Sequence, residues 1–178
     1  MLDEYLSEKR DAVVTEWYDR VTSQSPPETA KFLREQAEPF ANPVGAGLRE
    51  ELGPLYDAVV TGNNVDRVDR ALDRLIRVWA VQDLKPSEAL AFLVELKRLI
   101  RARVASDGLE CGAELAELDD RIDGVLLAAL DVYSRCREEI FDIRVKDVRN
   151  RSLKMMERLN DWRARRDEVG GPGAAEPH

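Results

Sequence analysis

The chemistry open to this sequence is bounded first by its histidines, of which there is one, His178 at the far end of the chain. That removes Ser-His and Cys-His nucleophile pairs, the Glu-x-x-His metal motif and an axial histidine for haem. The two cysteines, Cys111 and Cys136, stand far apart in helix-patterned sequence. Without C-x-x-C spacing they read as small buried apolar residues rather than a disulfide or a zinc site. No G-x-x-x-x-G-K-[ST] and no strand-borne G-x-G-x-x-G is present, so no phosphate cradle is expected. Carboxylates cluster at Glu35/Glu38, Glu50/Glu51, Glu114/Glu117, Asp119/Asp120 and Glu138/Glu139, but arginines are interleaved with them. Such clusters are expected to be solvated helix faces. The sequence therefore predicts no catalytic residues, no metal ligands and no cofactor, and a chain that is not an enzyme.

Two polar corners remain as candidate sites. The first is Phe40-Ala41-Asn42-Pro43-Val44-Gly45, where Asn42 before Pro43 can close an Asx-turn while Phe40 plugs the core beneath it. The second runs from Trp79 through Gln82 and Asp83 to Pro86 and Ser87. There a carboxylate and a hydroxyl lie beside a helix N-terminus whose free N–H groups need partners. Capping is one account of that corner. The other is that Gln82, Asp83 and Ser87 line a small-ligand pocket between helices.

The elements that would hold these corners are helices throughout. Apolar residues recur at spacings of three and four over Leu2–Val21, Val44–Val60 and Val65–Trp79, and again from Pro86, a helix-opening proline, to Val104. A short helix is expected near Thr29–Ala37, and Gly62 suits a C-terminal cap. From Leu109 no proline occurs until Pro172, which permits one or two very long helices. Apolar residues on several faces between Leu115 and Ile140 make that stretch central to the fold. The expectation is an all-α, multi-helix globular protein ending in a long helix.

Beyond Ile143 the pattern narrows. Phe141, Val145, Val148, Ser152, Met155, Leu159 and Trp162 alternate in steps of four and three, a coiled-coil seam for a dimer or another partner. Nine cations from Arg144 to Arg166 run along the same helix. The net charge of −8 argues against a general nucleic-acid binder. The longest apolar run is Val125–Leu130, too short to span a membrane, and the N-terminus lacks a signal-peptide layout, so a cytoplasmic location is expected.

The same two corners carry a resemblance. Pro39-Phe40-Ala41-Asn42-Pro43-Val44-Gly45, then Arg77-Val78-Trp79-Ala80-Val81-Gln82-Asp83-Leu84-Lys85-Pro86-Ser87-Glu88-Ala89-Leu90-Ala91-Phe92 and Leu96-Lys97, resemble the N-terminal domain of RsbRD-type RsbT co-antagonists. The likeness covers roughly Leu2 to Ile143. It implies a helical, globin-like, non-haem sensory domain of stress-response signalling. Such domains form dimers and pass a signal through their last helix to a STAS domain, which this chain would lack.

Together these readings divide the chain into a helical sensor-like domain, 1–143, a basic coiled-coil helix projecting over 144–168, and a disordered tail, 169–178. The expected function is non-enzymatic signalling through homodimerisation and protein contacts of the C-terminal helix, with a small ligand as a further partner. The alternative is a standalone adaptor or accessory subunit docking on another protein or a membrane-bound respiratory complex.

Overall fold

Seven helices and no strand make up the described residues of the computed structural model, which are 1–23, 43–62, 65–81 and 84–169. In chain order they are α1 (Leu2–Glu8), α2 (Arg10–Ser23), α3 (Pro43–Thr61), α4 (Val65–Val81), α5 (Pro86–Ala89), α6 (Ala91–Ser106) and α7 (Gly112–Val169). The helix expected near residues 29–37 and the tail from residue 170 lie outside the described residues. By internal contact the chain divides into one unit over 1–137 and a second over 138–178.

In the first unit the apolar spacing of each helix becomes its buried face. Leu2 and Leu6 of α1, Val13 and Trp17 of α2, and Leu48, Leu52, Leu55, Tyr56 and Val59 of α3 are buried. So are Leu72, Leu75 and Ile76 of α4, and Phe92, Leu93, Leu96, Leu99 and Ile100 of α6. Burying a leucine or isoleucine contributes about 1.5–3 kcal/mol, so these stripes are the main source of stability. Helix α3 packs on α1, α2 and α4, and α2 packs on α6. Tyr56 ties α3 to α1 by donating its hydroxyl proton to the Leu6 carbonyl at 2.8 Å. Gly53 makes room for a second tie. A Cβ there would stand 2.9 Å from Arg10 Nη2, and that guanidinium reaches Asp57 with two bonds of 2.6 and 2.9 Å.

Two helices expected to be continuous are jointed. Leu2–Val21 is broken at Lys9 (φ −91°, ψ 4°), yet Lys9 N–H still reaches Tyr5 O and Val13 N–H reaches Lys9 O. The stretch from Pro86 is broken at Leu90 (φ −99°, ψ −4°), where Leu93 N–H bonds the Leu90 carbonyl in a tighter turn. Neither joint uses glycine or proline, so neither leaves a mark in the sequence. Gly62 caps α3 as expected, at φ +65°, a left-handed conformation open to glycine at little cost.

Helix α7 corrects a third expectation. It is one helix, but it is not surrounded. Leu118, Ile122, Ala129, Val132, Tyr133 and Cys136 are buried, whereas Leu127 is 64% exposed and Leu130 40%. Its apolar faces are not all core faces. In the second unit every described side chain from Phe141 to Arg166 is exposed.

Candidate functional site

Buried charge marks the places where the first unit departs from a plain apolar core. Glu51, Glu95 and Asp119 are buried, and each is held by a cation. Arg74 reaches Glu51 at 2.6 Å, Arg98 reaches Glu95 at 2.7 Å, and Arg101 clamps Asp119 with Lys97 4.0 Å away. The bond from Asp119 holds the Arg101 guanidinium above its ordinary pKa. A buried carboxylate needs such pairing because its desolvation is costly. Of the Glu50/Glu51 and Asp119/Asp120 pairs expected on solvated faces, Glu50 and Asp120 are exposed but Glu51 and Asp119 are not, and Glu95 carries no expectation. The missed signal is positional. Glu51 lies among Leu48, Leu52 and Leu55, Glu95 among Phe92, Leu96 and Leu99, and Asp119 among Leu115, Leu118 and Ile122. Each is a charge written into an apolar stripe.

One of these pairs borders a pocket. Between α3 and α4 a cavity of about 90 Å³ is lined by Gly47, Leu48, Glu50, Glu51, Arg74, Leu75 and Trp79. At roughly 30 Å³ per water it has room for a few small atoms rather than a large ligand. Trp79 connects it to the core: its ring lies 4.9 Å from that of Phe92, which stacks on Trp17 at 6.0 Å. Trp17 Nε1 donates to the Phe92 carbonyl at 2.7 Å, so the aromatic column is fixed by a buried hydrogen bond as well as by packing. A wider groove of about 550 Å³ lies between α4 and α7, lined by Asp69, Arg70, Asp73, Arg74, Ala128, Asp131, Val132 and Arg135.

Of the predicted corner residues, Trp79 lines the pocket. Pro43 opens α3, while Pro86 and Ser87 open α5 on exposed positions. Lys85 offers no acceptor to that helix start, and the cap is made in reverse, from Lys85 N–H to Glu88 Oε2 at 3.2 Å. Phe40, Asn42, Gln82 and Asp83 lie outside the described residues. Among the described residues, those that converge with Trp79 are Glu51, expected on a solvated face, and Arg74, which the sequence does not single out. Among the described residues no three His, Cys, Asp or Glu side chains converge as metal ligands.

Side chains of α7 reach the C-terminal ends of the two helices that wall the pocket. Arg121 donates to the Val60 carbonyl at 2.6 Å, at the C-terminus of α3. Arg137 donates to the Ala80 carbonyl at 3.1 Å, at the C-terminus of α4. Tyr133 bonds the Leu84 carbonyl just beyond. A cation on the last carbonyls of a helix satisfies orphan acceptors and complements the helix dipole. Both walls of the pocket thus end on α7 side chains.

The seam residues of the second unit, Phe141, Val145, Val148, Met155, Leu159 and Trp162, are 48–66% exposed, and Ser152 is exposed with them. Arg166 lies over the Trp162 ring at 5.1 Å. No described helix is long and apolar enough to cross a membrane.

Comparison with known proteins places this geometry in context. The family described as RsbT co-antagonist protein rsbRD N-terminal domain matches residues 11–146. A protein of Archaeoglobus fulgidus described as uncharacterized is 29% identical over 164 residues, covering 88% of this chain and 95% of its own. No solved structure matches the chain.

Proposed function

The chain belongs to the RsbT co-antagonist RsbRD N-terminal domain family, a regulatory rather than enzymatic family, and on that footing we propose that it is a cytoplasmic, non-enzymatic sensor. In this reading a small ligand or contact acting on the α3–α4 pocket shifts the ends of those helices, and α7 carries the shift to its C-terminal seam. The observation that supports it most directly is the double cap, Arg121 on α3 and Arg137 on α4. Trp79 of the α4 wall adjoins Ala80, whose carbonyl Arg137 holds, and the α3 wall continues as one helix to Val60, whose carbonyl Arg121 holds.

The output surface is the seam from Phe141 to Trp162, working as a coiled coil. Two occupants suit an apolar stripe of this kind: a second copy, which makes a homodimer, and a helix of an unlike protein. The adaptor alternative, docking without any ligand, shares the seam but not the pocket.

Filling the pocket separates the two. Outside its own stretch of helix, no atom of the described residues lies within 4 Å of a Cβ built at Gly47, which lines the cavity, so Gly47→Leu adds a side chain at the pocket wall without a clash there. In a Trp17→Phe/Trp162→Phe background, where Trp79 is the one tryptophan left, its fluorescence reports that the side chain has gone in. The sensor reading expects altered amide hydrogen exchange in α7 between residues 118 and 137. A changed Trp79 signal with unchanged exchange in α7 would refute it and leave the adaptor.

A further inference from the structure

The charges beside the seam identify its occupant. Steps of four and three assign Phe141, Val148, Met155 and Trp162 to heptad position d, and Val145, Ser152 and Leu159 to position a. Position g is then Arg144, Arg151, Arg158 and Arg165, an arginine in four successive heptads. Position e is Asp142, Arg149, Met156 and Arg163. The nearby acids fall at other positions, Asp147 and Asp161 at c and Glu157 at f, and Asp147 reaches Arg151 at 2.8 Å in an exposed pair that a partner's carboxylate can replace.

This arrangement opposes self-pairing in either direction. In a parallel pair, g faces e of the following heptad, so Arg144 would meet Arg149 of a second copy and Arg158 would meet Arg163. In an antiparallel pair, g faces g, and arginine meets arginine along the whole flank. Like charges at these positions disfavour a pairing, and opposite charges select it.

A membrane surface fits less well. A strict four-three stripe drifts about 20° per heptad round a straight helix, roughly 60° over the three heptads here, which a supercoiling partner follows and a flat surface does not. The other exposed apolar residues, Ile143, Leu153 and Met156, fall at f, b and e. They are scattered round the helix rather than widening one face.

The geometry points to an acidic α-helix of another protein as the partner, one that offers apolar a and d residues flanked by Glu or Asp at e and g. The inference rests on the proposed output role of the seam and names its partner class. Arginine suits the role because its planar fork binds carboxylates bidentately. Arg166 over Trp162 closes the seam at its C-terminal end.

The test uses the full chain and two synthetic four-heptad helices with leucine at a and d, one with glutamate and the other with lysine at e and g. Fluorescence anisotropy at low salt is expected to show the glutamate helix bound about tenfold or more tighter than the lysine helix. The double variant Arg151→Glu/Arg158→Glu, changed only at exposed positions, is expected to remove most of that preference with its far-ultraviolet dichroism unchanged.

Equal affinity for the two helices overturns the proposal. Concentration-dependent self-association in sedimentation, abolished by Leu159→Asp, overturns it in favour of a second copy. Flotation with phosphatidylglycerol vesicles, abolished by the same variant and without preference between the peptides, overturns it in favour of a membrane surface. None of these outcomes alters the exchange experiment in α7, so a failure here and a failure of the sensor reading are told apart.

Discussion

Glu16 shows how much of the α2–α6 contact depends on one carboxylate. Arg103 reaches it from α6 at 2.8 Å and Arg20 from the next turn of α2 at 2.7 Å. The Arg103 bond, more than the Arg20 bond, holds the Glu16 carboxyl below its ordinary pKa. A group whose folded pKa is depressed adds stability that is present above its unfolded pKa and lost as pH falls through the folded value. Glu16 therefore stabilises the fold at neutral pH and stops doing so below the ordinary carboxylate range. Because the side chain is 37% exposed, solvent screening holds its worth to about 0.5 kcal/mol. Glu16→Gln should lower the urea midpoint slightly at pH 7 and show a smaller drop than the wild type between pH 7 and pH 3. Trp17 depends on shape instead. Its side chain is fully buried, so Trp17→Ala should cost about 3–5 kcal/mol through the cavity it leaves. Trp17→Phe keeps a ring but loses the bond to the Phe92 carbonyl, about 1 kcal/mol. Urea unfolding of the two variants should separate packing from hydrogen bonding. At this scale the core is legible in the sequence, since burial of Leu6, Val13 and Trp17 follows from spacing alone. The burial of Glu51 and Asp119 is not, because a charge in an apolar stripe looks like any other charge until its arginine partner is seen.

Among the elements, α7 holds the others by their ends. Arg121 and Arg137 each complete a helix C-terminus on a backbone carbonyl, and the two carbonyls belong to different helices. Removing one guanidinium leaves that last turn with an orphan acceptor and an uncompensated dipole. Arg121→Met should therefore cost about 1 kcal/mol and speed amide exchange in the last turn of α3, and Arg137→Met should do the same in α4. Each effect should stay in its own helix, and exchange rising equally in both would mean that α7 acts by packing rather than by capping. Helix type and order were plain in the sequence because the three-four spacing persists through every helix. The joints at Lys9 and Leu90 were not, since both residues keep near-helical angles and carry ordinary side chains. Nor was the open side of α7. Periodicity identifies which residues share a face, but Leu127 and Leu130 share one that no described neighbour covers enough to bury.

Over the whole molecule, burial and charge are divided unequally along the chain. Among the described residues none beyond Cys136 is buried, and the side chains from Phe141 to Arg166 are all exposed. The free energy of folding must therefore reside almost wholly in the first unit, since hydrophobic stabilisation scales with the area removed from water. A chain ending at residue 143 should melt within about 2–4 °C of the full chain in calorimetry, the shift that a change near 1 kcal/mol produces in a protein of this size. The second unit obeys a different rule. A solvated helix without a packed face is held by local propensity and flanking helix alone, and its amides open readily. In the full chain, exchange should be slow over residues 118–136 and fast over 141–166. Adding the glutamate-flanked helix should slow the second stretch strongly and, because coupling between two sites is reciprocal, alter the first more weakly. If exchange over 141–166 is already as slow as over 118–136 without any added helix, the seam is covered in the free protein, and the partner is either the chain's own first unit or a second copy.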